Sequence, residues 1–276
     1  MELLRFLHIP KTAGTTFTAI LQRQYFGKKM YVFTRPLDLE IKKYNSLPKD
    51  ERDQIELFAG HAPIVTGINQ ADNATTITFL RDPVSRVKSF CQHVAEGKSP
   101  DYIVDFPPET FNLDEFLESG AWELSNLQSK MLINEPNSTP PVVFKYLSPS
   151  EAKDLALDNL FNKISFYGIQ EYFDESLIIL SLALNWKLPI YISQNRKNRS
   201  KLIRFEKRHL DRIAELNAID IEVYKIAKEH FLNSLNSVAF NKRKYKWFRF
   251  VNALASFTIK CRNSVKVMAG HIIRKK

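Results

Sequence analysis

Cysteine is scarce: Cys91 and Cys261 are the only two in a chain of 276 residues. They lie far apart and fit no metal or redox spacing, which excludes a disulfide framework and leaves reduced, packing-type thiols. Long apolar runs are missing as well. The opening LLRFLHI is broken by Arg5 and His8, too early for a signal h-region or a membrane span, so no export is expected. The chain has no internal repeat and no recognisable nucleic-acid module, and no nucleic-acid partner is expected. Acidic residues vanish after residue 240, where eleven of the 40 Lys and Arg fall without a single Asp or Glu. Before that point 29 basic side chains stand against 30 acidic ones, so the formal charge of +10 belongs to the tail rather than to the body.

With 44% hydrophobic and 12% aromatic residues, the chain can bury one sizeable core. Short apolar or β-branched runs (LLRFLHI, YVF, IELFAG, TTITFLR, VVFKYL, SFYGI, YIS) alternate with amphipathic stretches such as TTFTAILQRQY and PVSRVKSFCQHV. That alternation predicts an α/β domain with a central, mostly parallel sheet flanked by helices, its ligands bound where strands end. The turn-rich stretches at 100–108 and 134–141 read as loops. A helical stripe from Ile213 to Phe231 closes the domain, which spans residues 1–236. Residues 237–276 form a basic amphipathic tail.

HIPKTAGTTF at 8–17 follows the first strand and opens a helix. A helix N-terminus carries unpaired backbone N–H groups, here those of residues 13–17, and is a ready anion site. Gly14 permits close approach, Thr12, Thr15 and Thr16 offer hydroxyls, and Lys11 adds a full charge. A Walker loop places its lysine late, before the magnesium-binding hydroxyl, whereas Lys11 precedes Gly14. An ordinary P-loop ATPase is therefore disfavoured. The segment resembles the 5′-phosphosulfate loop of sulfotransferases that use 3′-phosphoadenosine 5′-phosphosulfate (PAPS), especially the carbohydrate type with PKT-x-(G/S)-(T/S)-(T/S)-F. On that resemblance Lys11, Thr12, Ala13, Gly14, Thr15 and Thr16 cradle the donor's 5′-phosphate, and Phe17 carries the match into the helix.

Two further segments keep the order that this family has. In TTITFLRDPVSRVKSF at 75–90 a strand ends at Arg81, Asp82 can cap the next helix, and Pro83 suits its first turn. Arg81 and Ser89 match the family's 3′-phosphate site. In IELFAGHAPIV a strand ends at Gly60 and His61, similar to the Gly-His pair that supplies the general base in the uronyl 2-O-sulfotransferases. His8 is assigned to structure, and His93, His209, His230 and His271 match nothing comparable. NLQSKML at 126–132, YGIQEYFDESLIIL at 167–180 and the pair Asp220 and Tyr224 echo further family segments. The basic loop QNRKNRSK resembles the one that closes over the donor, which places Arg196, Arg199 and Ser200 at the 3′-phosphate.

The resemblance implies transfer of a sulfuryl group from PAPS to a carbohydrate or glycolipid hydroxyl, with PAP as product and no metal required. His61 is then the base, and Lys11 stabilises the departing phosphate. Alternatives are a nucleotide-dependent phosphotransferase using the same anion loop, and a non-catalytic relic that binds glycans or membranes. The tail's apolar stripe (Trp247, Phe250, Val251, Leu254, Phe257, Thr258, Cys261, Val265, Met268 and Ile272) admits two readings: an interfacial helix on an anionic membrane, or packing on the domain or on a twin copy in a homodimer. A cytoplasmic enzyme, peripheral on the inner membrane face, is expected.

Overall fold

The computed structural model describes residues 2–34, 36–133, 144, 146–191, 202–237, 243 and 245–255. Five strands form one sheet: β1 (Leu4–Leu7), β2 (Lys29–Phe33), β3 (Ile55–Gly60), β4 (Thr75–Leu80) and β5 (Phe166–Ile169). The helices are α1 (Gly14–Gln24), α2 (Leu37–Ser46), α3 (Lys49–Asp53), α4 (Asn69–Asp72), α5 (Pro83–Ala95), α6 (Leu113–Glu118) and α7 (Leu127–Ile133). They continue with α8 (Pro149–Asn162), α9 (Phe173–Ala183), α10 (Lys207–Leu216), α11 (Ala218–Ser237) and α12 (residues 245–255).

The strand order is β2-β3-β1-β4-β5, and every pairing is parallel. Parallel strands are covered on both faces, which is why all four residues of β1 are buried. Alternation then sorts them: Leu4 and Phe6 join Phe17, Ile20 and Leu21 of α1 and Leu177 and Leu180 of α9 in one core layer. Leu7 joins Leu127 and Met131 of α7, Ala156 and Leu160 of α8, and Val223 and Ala227 of α11 in the other. Each such side chain contributes roughly 1.5–3 kcal/mol on burial. From β1 the chain leaves towards β2, and from β4 towards β5 on the opposite side. The direction of winding therefore reverses between β1 and β4, which are neighbours, and the crevice at their carboxyl ends is the natural ligand position.

VVFKYL, expected as a strand, is not one where it is described. Phe144 and Tyr146 are helical, and Phe144 packs against the layer that contains α7 and α8. Of YIS, Tyr191 is not in a strand, and the rest lies outside the described residues. The domain also extends past residue 236. Phe248 of α12 is fully buried in the layer of α1 and α9, and Asn252 accepts a hydrogen bond from the Tyr191 amide at 2.7 Å. No helix among the described residues is long and apolar enough to cross a membrane.

Candidate active site

The loop between β1 and α1 is held in an uncommon backbone shape. Lys11 (φ 69°) and Ala13 (φ 75°) both adopt the left-handed region without being glycine. Each such residue costs of order 1 kcal/mol and persists because its surroundings dictate it. Thr12, between them, is fully buried and donates its hydroxyl to the Ile9 carbonyl at 2.8 Å. That corrects its expected role, because a hydroxyl committed inward cannot reach an anion. Phe17 is corrected likewise: its N–H donates to the Ala13 carbonyl at 3.1 Å, and its ring is buried against Phe6 and Phe79. The helical ladder thus begins at Phe17, leaving the amides of Gly14, Thr15 and Thr16 as the unpaired first turn.

Gly14 is small for a different reason than expected. A Cβ there would lie 1.7 Å from His8 Nε2, so the close approach that it permits is that of the His8 imidazole. His8, assigned to structure from the sequence, stacks on Phe6 and meets the His61 ring at a tilt of 31°, with 4.2 Å between the His8 and His61 ring centroids. Burial, with positive charge on His61 and Lys11 adding to it, pushes the His8 pKa down to about 3.

His61 stands where β3 ends. Gly60 before it has φ 135°, and a Cβ there would lie 2.4 Å from the Phe33 carbonyl oxygen, so only glycine makes this turn. His61 Nδ1 lies 2.7 Å from the His8 carbonyl oxygen. A carbonyl can only accept, so Nδ1 carries the proton and Nε2 keeps a lone pair. The side chain has an exposed edge while protein atoms crowd the ring from behind. That burial lowers its pKa, against the opposing hydrogen bond to His8 and the charge of Glu123. Arg5, in the middle of β1, supports the segment that follows: its guanidinium donates to the carbonyls of Pro63 and Ile64 and pairs with Asp72 at 3.2 Å.

Arg81, at the end of β4, donates from Nη1 to the Lys11 carbonyl at 3.0 Å, so the two phosphate motifs meet. Its backbone is clamped by the Gln128 side chain, which accepts from the Arg81 N–H at 2.9 Å and donates to its carbonyl at 2.8 Å. Gln128 is placed in turn by Asp220, whose carboxylate caps the amides of Gln128 and Ser129. Asp82 caps α5 as expected, accepting from the Ser85 amide at 2.8 Å. Its own N–H donates to Glu171, which also accepts from the Tyr224 hydroxyl. Arg86, the second arginine of that motif, is fully buried and donates to the Glu123 carbonyl at 2.6 Å, beyond reach of a ligand.

Burial, then the charges of Arg81 and Lys98, brings the Lys11 pKa down to about 8, with Glu96 opposing. His93 belongs to the same cluster: burial and the charges of Lys11 and Lys98 push it down to about 4. It lies one turn beyond Ser89 on α5, so both share a helix face. Ser89 is half-buried, and its hydroxyl makes no hydrogen bond among the described residues. Cys91 is buried, its thiol pushed up to about 12, as a packing thiol should be. Arg196, Arg199 and Ser200, together with His271 and Cys261, lie outside the described residues.

Two cavities flank the loop region. One, of about 390 Å³, is lined by Ala13 and Thr16 on one side and by Phe173, Asp174, Glu175, Tyr191 and Arg249 on the other. The second, of about 500 Å³, lies between the start of α5 and α11 and includes Asp82, Tyr224, Lys225 and Lys228.

An all-parallel sheet whose first strand runs through a tight loop into a helix, at the reversal point of the winding, defines an α/β protein of P-loop-like type. No family model matches the chain. Among individual proteins it is 27% identical over 271 residues to heparan-sulfate 6-O-sulfotransferase 2 of Gallus gallus, covering 84% of this chain and 67% of that one. Against heparan-sulfate 6-O-sulfotransferase 2 of Homo sapiens the identity is 24%, covering 84% of this chain and 45% of the relative. Against heparan-sulfate 6-O-sulfotransferase 3-B of Danio rerio it is 25%, covering 88% and 67%. The chain thus spans from under half to about two thirds of the length of these curated relatives. Over more than four fifths of its length the chain is thus similar to carbohydrate sulfotransferases. These relatives are 6-O enzymes, whereas the Gly60-His61 pair resembles the uronyl 2-O type.

Proposed function

We propose that the chain transfers the sulfuryl group of PAPS to a hydroxyl of a carbohydrate acceptor, with His61 as general base. The observation that carries this reading is the hydrogen bond from His61 Nδ1 to the His8 carbonyl, which leaves Nε2 unprotonated in a ring that lies against His8 at the start of Lys11's loop. The acceptor oxygen attacks sulfur, its proton passes to Nε2, and the bond from sulfur to the bridging oxygen breaks. The electron pair goes to the 5′-phosphate of the departing PAP. Lys11 and the amides of Gly14, Thr15 and Thr16 stabilise that charge as it develops, so they act on turnover more than on ground-state binding.

The 390 Å³ cavity suits the nucleoside end of the donor. Phe173 and Tyr191 offer ring faces, and Asp174 and Glu175 can accept from an exocyclic amine or a ribose hydroxyl while repelling phosphate. The 3′-phosphate then goes to Arg81 and Ser89, which also distinguish PAPS from ATP. The test is incubation with ³⁵S-labelled PAPS or γ-³²P-ATP and a panel of glycans. Sulfur transfer to a glycan that His61→Ala abolishes supports the reading. Phosphate transfer supports a phosphotransferase instead, and binding without transfer supports a relic.

A further inference from the structure

Helix α12 has two apolar faces, and among the described residues only one of them packs on the domain. Tyr245, Phe248 and Asn252, spaced three and four residues apart, turn towards the core, where Phe248 is fully buried. Trp247 and Phe250, three apart on another face, are 55% and 67% exposed. Two large aromatics side by side in water mark a surface that another phase or partner covers. Around them stand the exposed cations Lys246 and Arg249, the latter 3.8 Å from Asp174, and residues 241–276 hold eleven Lys and Arg with no acidic residue.

We propose that α12 docks the protein on an anionic lipid surface, with Trp247 and Phe250 entering the boundary between headgroups and acyl chains and Lys246 and Arg249 facing the headgroups. Lys246 and Arg249 interrupt the apolar residues of 245–255, so this stretch lies along the surface. Trp and Phe beside Lys and Arg is the composition that such a boundary favours, because aromatic rings bury while cations stay with the phosphates. Charge argues against a second copy of the chain as the occupant, since it would bring the exposed Lys246 and Arg249 of one helix against those of the other. The inference is independent of the reaction proposed above.

The experiment is sedimentation of the full chain with phosphatidylcholine vesicles, alone or mixed with phosphatidylglycerol, at low and high salt. Binding to the anionic vesicles only, weakened by salt, is expected. Trp247→Ala and Phe250→Ala should each weaken that binding about tenfold, and Lys246→Glu by a similar factor. All three side chains are exposed, so thermal unfolding should be unchanged. Should the aromatic variants unfold, Lys246→Glu carries the test alone. Equal binding to neutral vesicles, no binding to either, or salt-sensitive binding that ignores both aromatic substitutions overturns the proposal. So does concentration-dependent dimerisation, seen by light scattering, that Trp247→Ala abolishes.

Discussion

The Arg81 guanidinium donates to the Lys11 carbonyl across 70 residues of sequence, at 3.0 Å, and joins the end of β4 to the loop that follows β1. A hydrogen bond from a charged donor is worth about 1.5–3 kcal/mol, and this one holds a turn whose own backbone is strained. Arg81→Ala should therefore raise the KM for PAPS and lower kcat together, each by about tenfold or more. Arg81→Lys should recover little, because an ammonium cannot reach the carbonyl and a phosphate in one planar fork. Steady-state kinetics with varied donor checks this. A change in acceptor KM alone would assign Arg81 to the other substrate.

His61→Ala should reduce kcat by about 10²–10⁴, the usual contribution of a positioned base, while PAP affinity by calorimetry stays within about twofold. Full retention of turnover would move the base to another group. Glu96, held by Gln92 and Lys98 in the cluster beside Lys11, and His93 are the next to substitute.

The pH profile of kcat/KM reports the free enzyme and should be bell-shaped. His61 acts neutral and its pKa is lowered, so the acid limb falls below the ordinary imidazole value of about 6.5. Lys11 acts charged and loses its proton near 8, so the alkaline limb lies there. Bound phosphate favours the charged lysine, and the alkaline limb of kcat should move upward from that of kcat/KM. An alkaline limb at the same pH in both would remove Lys11 from the donor site.

Gly14→Ala forces a methyl group onto the His8 ring and should destabilise the fold by about 1–3 kcal/mol. Removing the ring relieves the clash, so the double variant with His8→Ala should be more stable than the sum of the two single losses predicts. Denaturant titration of the four proteins measures that coupling. Strict additivity would mean that Gly14 is small for the sake of a ligand and not for His8.

Arg5→Met should cost about 2–5 kcal/mol, since it strands the buried Pro63 and Ile64 carbonyls, while Asp72 keeps its donors from Thr66 and Gly67. Because those residues follow His61 directly, activity measured well below the unfolding midpoint should also drop. Chemical denaturation paired with kcat separates the two effects.

The sequence shows some of this plainly and conceals the rest for physical reasons. The anion loop, the Asp82 cap and the Gly60-His61 turn are readable because their chemistry is local: a strand end, a φ-permissive residue, a helix start. The duty of Thr12 could not be read, because a hydroxyl beside an anion loop looks the same whether it points out or back to Ile9. His93 escaped notice because its link to Lys11 arises only when α5 packs across the crevice. Arg5 did leave a signal, a lone charge inside an apolar strand, and was taken only as an interruption of that run. Phe144 and Tyr146 of VVFKYL are helical instead, because aromatic residues suit any half-buried surface and do not by themselves select a strand.

The acceptor that orients His61 is a main-chain oxygen, and this decides how the site can be dissected. Replacing the side chain at residue 8 leaves that oxygen in place, so alanine scanning passes over the group that sets the tautomer. Converting the peptide carbonyl to a weaker acceptor, by semisynthesis or by an ester linkage at the next residue, would expose it. Genetic screens of this protein will under-report its most directive contact.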